Sequence, residues 1–185
     1  MTKIINVLRT AWDYTKLSIQ HNTGIKFVGE SLASIFHFLP LSETLITAGQ
    51  PTEQQLVTVK NSGYQTVLNL ALGTAHNALA DERSTVESLG MRYVHIPVEF
   101  DRPMPEDFDQ FCIFMQENGD QPLLVHCAAN FRVSSFMYLY RLIYLGWNVS
   151  DATIDLHKIW TPNAVWQQFM AEVLQERATD ISKTC

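Results

Sequence analysis

Residues Pro122–His126 read PLLVH, residues 134–145 read SSFMYLYRLIYL, and only seven residues, Cys127 to Val133, separate them. The first run is short and apolar and stops at a polar turn, the pattern of a strand covered on both faces. The second is apolar nearly all round, the pattern of a helix buried on most sides. A chain that joins two such segments through so short a link leaves the middle of a sheet and enters the core at once. A mainly parallel sheet with helices on both faces is the architecture that permits this.

The remaining sequence repeats the alternation. Thr44–Ala48 reads as a strand, and Thr52 with Gln55 forms a capping box that opens a helix running to Asn61, with Gly63 as its stop. Tyr64–Leu70 and Met91–Val98 read as strands on either side of a helix over Ala78–Leu89 that Gly90 closes. Pro105–Asn118 places Phe108, Phe111, Cys112 and Met115 at helical spacing. After Gly146, Ser150 is expected to cap a helix to about Trp160, and Asn163 another to about Gln175. The expected fold is α/β, a central, mainly parallel sheet of four to five strands. It occupies residues 36–185, after an amphipathic helical extension over residues 1–35.

Composition excludes several classes of function. A 185-residue chain buries about 70% of its unfolded surface, enough to fold without a metal or disulfide staple. Its cysteines, Cys112, Cys127 and Cys185, lack CxxC spacing, and its six histidines lack ligand spacing, so neither a disulfide framework, a metal nor another cofactor is expected. A net charge of −6 disfavours binding to a nucleic-acid backbone. No apolar run of about 18 residues offers a membrane span. Lys3, Arg9, Asp13 and Lys16 interrupt any signal-peptide core, so a cytoplasmic location is expected. Cys112 reads as core, as do Trp147, Trp160, Trp166, Phe169 and Met170, with His157 structural. Gln50 and Asn69 end strands close to where a site would form.

In open α/β sheets, sites form at the carboxyl ends of strands. Cys127 stands there, between a central strand and the N-terminus of a buried helix, where backbone N–H groups and the helix dipole favour an anion. The same field favours a thiolate. Arg132 adds a fixed charge and a bidentate fork suited to a tetrahedral oxyanion. The stretch VHCAANFRVSS can therefore hold a nucleophilic thiolate inside an anion cradle.

This stretch resembles the phosphate-binding loop of the cysteine-dependent protein tyrosine and dual-specificity phosphatases, whose pattern is His-Cys-x5-Arg-Ser/Thr. His126, Cys127 and Ser134 match it. The segments LSETLITAGQPTEQQL, GYQTVLNL and YVHIPV extend the resemblance over residues 35–147, toward a bacterial branch related to the phosphatase-like domain of beta-lactamase hydrolase-like proteins. The resemblance implies that Cys127 is the nucleophile, that Arg132 with the N–H groups of Ala128, Ala129, Asn130, Phe131 and Val133 holds the phosphoryl oxygens, that Ser134 assists the departing sulfur, and that His126 supports the loop from below. An aspartate from an upstream loop would be the general acid. Of Glu99, Asp101, Glu106, Asp107 and Asp109, Asp101 comes right after the strand and before Pro103, in the loop, and is assigned that role, while Glu106 and Asp107 fall in the first turn of the following helix and Asp109 lies on it. The substrate would be a phosphorylated protein or small molecule.

The sequence departs from the pattern at one point: Arg132 follows Cys127 by five residues instead of six. Asn130 replaces the usual glycine, and asparagine is the non-glycine residue that best tolerates a left-handed backbone. Two alternatives follow from the short spacing. One is a module that binds a phosphoanion without turnover; the other is a sulfurtransferase, since rhodanese-like proteins carry a Cys-x4-Arg loop.

Overall fold

The computed structural model describes residues 31–183. Most of the extension expected over 1–35, and Cys185, lie outside these residues. Among the described residues, five strands and six α-helices follow a 3-10 turn at Leu32–Ser34: β1 (Leu39–Pro40), β2 (Leu45–Ala48), α1 (Glu53–Asn61), β3 (Thr66–Asn69), α2 (Glu82–Ser88), β4 (Arg92–His95), α3 (Pro105–Asn118), β5 (Leu123–His126), α4 (Phe131–Tyr144), α5 (Val149–Ile159) and α6 (Ala164–Lys183). The sheet order is β1-β2-β5-β3-β4. Only the edge strand β1 is antiparallel, with Leu39 opposite Thr47. The apolar strand β5 is central, pairing in parallel with β2 and with β3.

The core lies in two layers. Ile46, Val67 and Leu124 face Leu56 and Val59 of α1 and Val86 of α2. Leu45, Leu68, Leu123 and Val125 face Phe108 and Phe111 of α3, Phe136 of α4, Leu156 of α5 and Trp166 of α6. Alternation along each strand thus feeds two opposite apolar layers, which is why the strands read as continuous apolar runs. The Thr52 capping box is present, with Thr52 Oγ1 accepting from Gln55 N at 3.1 Å and Gln55 Oε1 accepting from Thr52 N at 2.9 Å.

Several expected boundaries move. Strands are shorter than their β-rich sequences, each of β2 to β5 spanning four residues. The helix expected over Ala78–Leu89 starts only at Glu82, capped by Asp81. The buried helix after β5 begins at Phe131 instead of Ser134, so Arg132 and Ser134 lie in its first turn. Helix α5 is capped by Asn148, whose Oδ1 accepts from Asp151 N, and Ser150 falls inside its first turn. Asn163 caps α6 as expected, but α6 continues to Lys183. Trp147 is not core: it is 40% exposed, with the Arg141 guanidinium 4.1 Å above its ring. His157 is exposed, on the outer side of α5. Trp166, Phe169 and Met170 are buried as expected. Among the described residues, no helix is long and apolar enough to cross a membrane.

Candidate active site

Cys127 is the first residue past β5 and is fully buried. The chain then turns within three residues into α4. The turn is made by Asn130, with φ +64°, the left-handed conformation that few residues other than glycine and asparagine adopt. Its side chain fixes the turn from outside: Nδ2 donates to His37 O at 2.8 Å and to Thr47 Oγ1 at 3.0 Å. His37 is itself left-handed, with φ +48°, and its Nδ1 meets Ala129 O at 3.0 Å. Two strained residues therefore hold one another against the loop. Gly49 closes the other side, with its backbone in an isolated antiparallel bridge to Ala129. A Cβ at residue 49 would sit 2.8 Å from Phe36 Cδ1 and 3.1 Å from Ala128 O, so only glycine permits this approach. Gln50 N and Asn77 Nδ2 both donate to Ala128 O, at 3.2 and 3.0 Å.

These bonds take the loop's carbonyls and leave its amides. Among the described residues, no acceptor takes the N–H groups of Ala128, Ala129, Phe131, Arg132 or Val133. The last three are the first N–H groups of α4, and this N-terminus, the positive end of the helix dipole, begins four residues after Cys127. Arg132 is buried, with Nε donating to Val98 O at 2.9 Å and its guanidinium 5.2 Å above the Phe100 ring. The loop after β4 is thereby fastened to the cysteine loop. Phe131 stacks on Trp160 at 4.5 Å and 6°, and Phe100 packs 5.7 Å from Trp160 and 5.9 Å from Trp166. Trp166 Nε1 donates to Phe100 O at 2.9 Å.

The five carboxylates separate clearly. Glu99 pairs with Arg102. Asp107 Oδ2 accepts from Met104 N at 3.2 Å and caps α3; burial raises its pKa more than this bond lowers it. Asp109 pairs with Arg177. Among the described residues, neither Asp101 nor Glu106 has an ion-pair or hydrogen-bond partner, and Asp101 is exposed on the bend immediately after Phe100. Ser134 Oγ donates to Phe131 O at 3.1 Å, as a hydroxyl in a first helical turn does, and the N-cap of α4 is Asn130.

His126, the last residue of β5, is fully buried. Its Nε2 lies 2.9 Å from Glu82 Oε1. Gln50 Nε2 donates to the same oxygen at 2.8 Å, and Asn69 Nδ2 donates to Oε2 at 2.7 Å. Burial alone would raise the Glu82 pKa, yet His126, Gln50 and Asn69 together hold it below the usual carboxylate value. Burial, then the Glu82 charge, pushes the Tyr93 phenol up to about 12. Gln50 and Asn69 are thus occupied with Glu82. In the sequence Glu82 falls inside the helix expected over Ala78–Leu89, where an acidic residue reads as part of a solvated face. Among the described residues, no group of histidine, cysteine and carboxylate side chains could hold a metal ion.

A free-amide cradle at the carboxyl end of a central parallel strand, with a cysteine at its base and an arginine in the following helical turn, defines a cysteine-phosphatase-like α/β protein. Residues 40–178 match the family described as the dual-specificity, protein-tyrosine-type phosphatase fused to NAD+ kinase, and the chain belongs to that family. It is similar to a DUF442 protein of Shewanella putrefaciens CN-32 assigned as a phosphatase, with 32% identity and a TM-score of 0.70 over 79% of this chain and 96% of that one. The fold is also shared with TpbA of P. aeruginosa (19% identity, TM-score 0.62, covering 78% and 90% of the two chains). It is shared again with the core catalytic domain of the PP-IP phosphatase SIW14 of S. cerevisiae (12%, 0.62, 79% and 93%). Comparison with curated proteins finds no match.

Proposed function

We propose that this protein hydrolyses phosphomonoesters through a phosphocysteine intermediate, without a metal ion. The observation that carries this reading is the set of amides without acceptors in the short loop that follows Cys127 and opens α4. Family membership supports a phosphatase. The Cys127 thiolate attacks phosphorus in line; the S–P bond forms as the P–O bond to the leaving group breaks, and Asp101 gives its proton to the departing oxygen. Water then attacks the phosphocysteine, Asp101 takes its proton, and phosphate leaves with the thiolate restored. The loop amides and Arg132 stabilise the equatorial oxygens, where charge sits in the transition state. Arg132 precedes the position the family pattern uses. Its anchoring through Nε leaves the Nη groups as the part that faces the phosphoryl group, held by Val98 O and Phe100. His126 supports the loop.

The test is phosphate release from an aryl phosphate in the presence of EDTA, comparing the wild type with Cys127→Ser. Release that needs Cys127 and ignores EDTA is expected. Phosphate that protects Cys127 from iodoacetate, with no turnover of aryl or alkyl phosphates, would replace the enzyme with a phosphoanion-binding module. Cys127-dependent formation of thiocyanate from thiosulfate and cyanide, without phosphate release, would favour the sulfurtransferase.

A further inference from the structure

We infer that Glu82 is a positioning residue for the cysteine loop, a single carboxylate that ties the four mutually parallel strands together beneath the nucleophile. The inference rests on the reading of Cys127 as nucleophile. Oε1 lies 2.9 Å from His126 Nε2 at the end of β5, a charge contact without hydrogen-bond alignment, and accepts from Gln50 Nε2, just past β2, at 2.8 Å. Oε2 receives Asn69 from the end of β3 at 2.7 Å and the Tyr93 hydroxyl from β4 at 3.4 Å. The contacts come from β3, β4, β5 and the residue just past β2, and Glu82 reaches all of them from the first position of α2.

Two features set this clasp apart from ordinary packing. Glu82 is 6% exposed, and among the described residues no lysine or arginine touches it. A buried carboxylate is expensive to keep, and an apolar side chain of similar size would serve stability as well or better. It is also joined to His126, whose neighbour in sequence is Cys127. His126 is fully buried, and its backbone oxygen accepts from Leu70 N at 2.8 Å. Any shift of the carboxylate therefore moves β5 against β3 at the point where the nucleophile leaves the sheet. The titratable or charged groups facing Glu82 are His126 and Tyr93, with Arg83 of α2 lying 5.0 Å above the Tyr93 ring. Glu82 contacts no substrate in this arrangement and acts through His126.

The experiment uses the full chain with Glu82→Gln, which keeps the size but removes the charge and one acceptor. The expected result is a fall in kcat of about tenfold or more, with KM changed by less than about threefold because the loop amides remain. The pH midpoint for alkylation of Cys127 by iodoacetate should move by about half a unit or more, since a full charge has left the partner of the adjacent histidine. Combining Glu82→Gln with His126→Gln should add less than about twofold to the loss from His126→Gln alone, as coupled residues do. Gln50→Met removes one donor and no charge. It provides a second variant if Glu82→Gln fails to fold, and is expected to lower kcat by about threefold with the same KM. A lowered Tm with unchanged kcat and an unchanged alkylation midpoint would overturn the inference and make Glu82 purely structural, as would fully additive losses with His126→Gln. The alkylation profile needs no turnover. If the wild type releases no phosphate, the proposed function fails while this coupling is still decided by Cys127 reactivity.

Discussion

Replacing Asn130 separates its two tasks, a left-handed backbone and a two-pronged amide. Glycine keeps the first and loses the second. Nδ2 makes two hydrogen bonds, 2.8 Å to His37 O and 3.0 Å to Thr47 Oγ1, each worth about 1 kcal/mol net. Relief of the left-handed strain returns a part of that, since such a residue costs about 1–2 kcal/mol and asparagine somewhat less. Asn130→Gly is therefore expected to destabilise by about 1–2 kcal/mol, or about 3–6 °C in Tm for a chain of this length. Asn130→Val loses the same bonds and adds a β-branched residue at φ +64°, for a total of about 3–4 kcal/mol and a Tm drop near 10 °C. The assays are thermal unfolding by circular dichroism and protection of Cys127 from iodoacetate by phosphate. Glycine should preserve that protection, because the amides still point into the cradle, whereas valine should abolish it. Equal stability of the two variants, or protection retained by Asn130→Val, would refute the claim that this left-handed residue builds the cradle.

Arg132→Lys keeps a charge but loses the Nε donor to Val98 O and the planar fork, so vanadate inhibition and turnover should weaken by about 100-fold while Tm falls only slightly; an unaltered vanadate inhibition constant would show that the guanidinium plays no part in oxyanion binding. Asp101→Asn should lower kcat by about 10²–10⁴ on alkyl phosphates and much less on aryl phosphates with good leaving groups, and wild-type rates on an alkyl phosphate would remove Asp101 as the acid. Iodoacetate should modify Cys127 ahead of Cys112, whose thiol is pushed up to about 12, chiefly by burial, and peptide mapping after brief treatment reads the order; Cys112 reacting first would contradict the cradle. The Glu82 carboxyl has a lowered pKa in the folded state, so the unfolded chain binds its proton more readily and stability rises with pH through that window. Its contribution is therefore complete above the ordinary carboxylate range and is lost as pH falls through the folded value. Urea unfolding between neutral pH and about pH 3 should show a flatter acid limb in Glu82→Gln than in the wild type.

Much of the fold follows from local pattern. Continuous apolar runs such as Leu123–Val125 demand cover on both faces, helical spacing in Pro105–Asn118 sets α3 residue for residue, and Thr52 with Gln55 fixes the start of α1. The cysteine loop was legible for the same reason: its strand, its turn-tolerant asparagine and its buried helix are contiguous in sequence. What the chain could not announce depends on residues distant in sequence meeting at the sheet edge. The antiparallel strand β1 is two residues long, too short to carry a period. The start of α4 at Phe131 is set by Asn130 and by its grip on His37, 93 residues away, so local propensity placed it three residues late. The partners of Glu99, Asp107 and Asp109, and the lack of one at Asp101 and Glu106 among the described residues, are likewise set by packing. Glu82 reads in the sequence as one more acidic residue within a helix, until groups from four strands converge on it. Sequence periodicity records which face of an element is apolar; it carries no record of which polar groups that packing will bring within 3 Å of one another, and only the tertiary structure decides that.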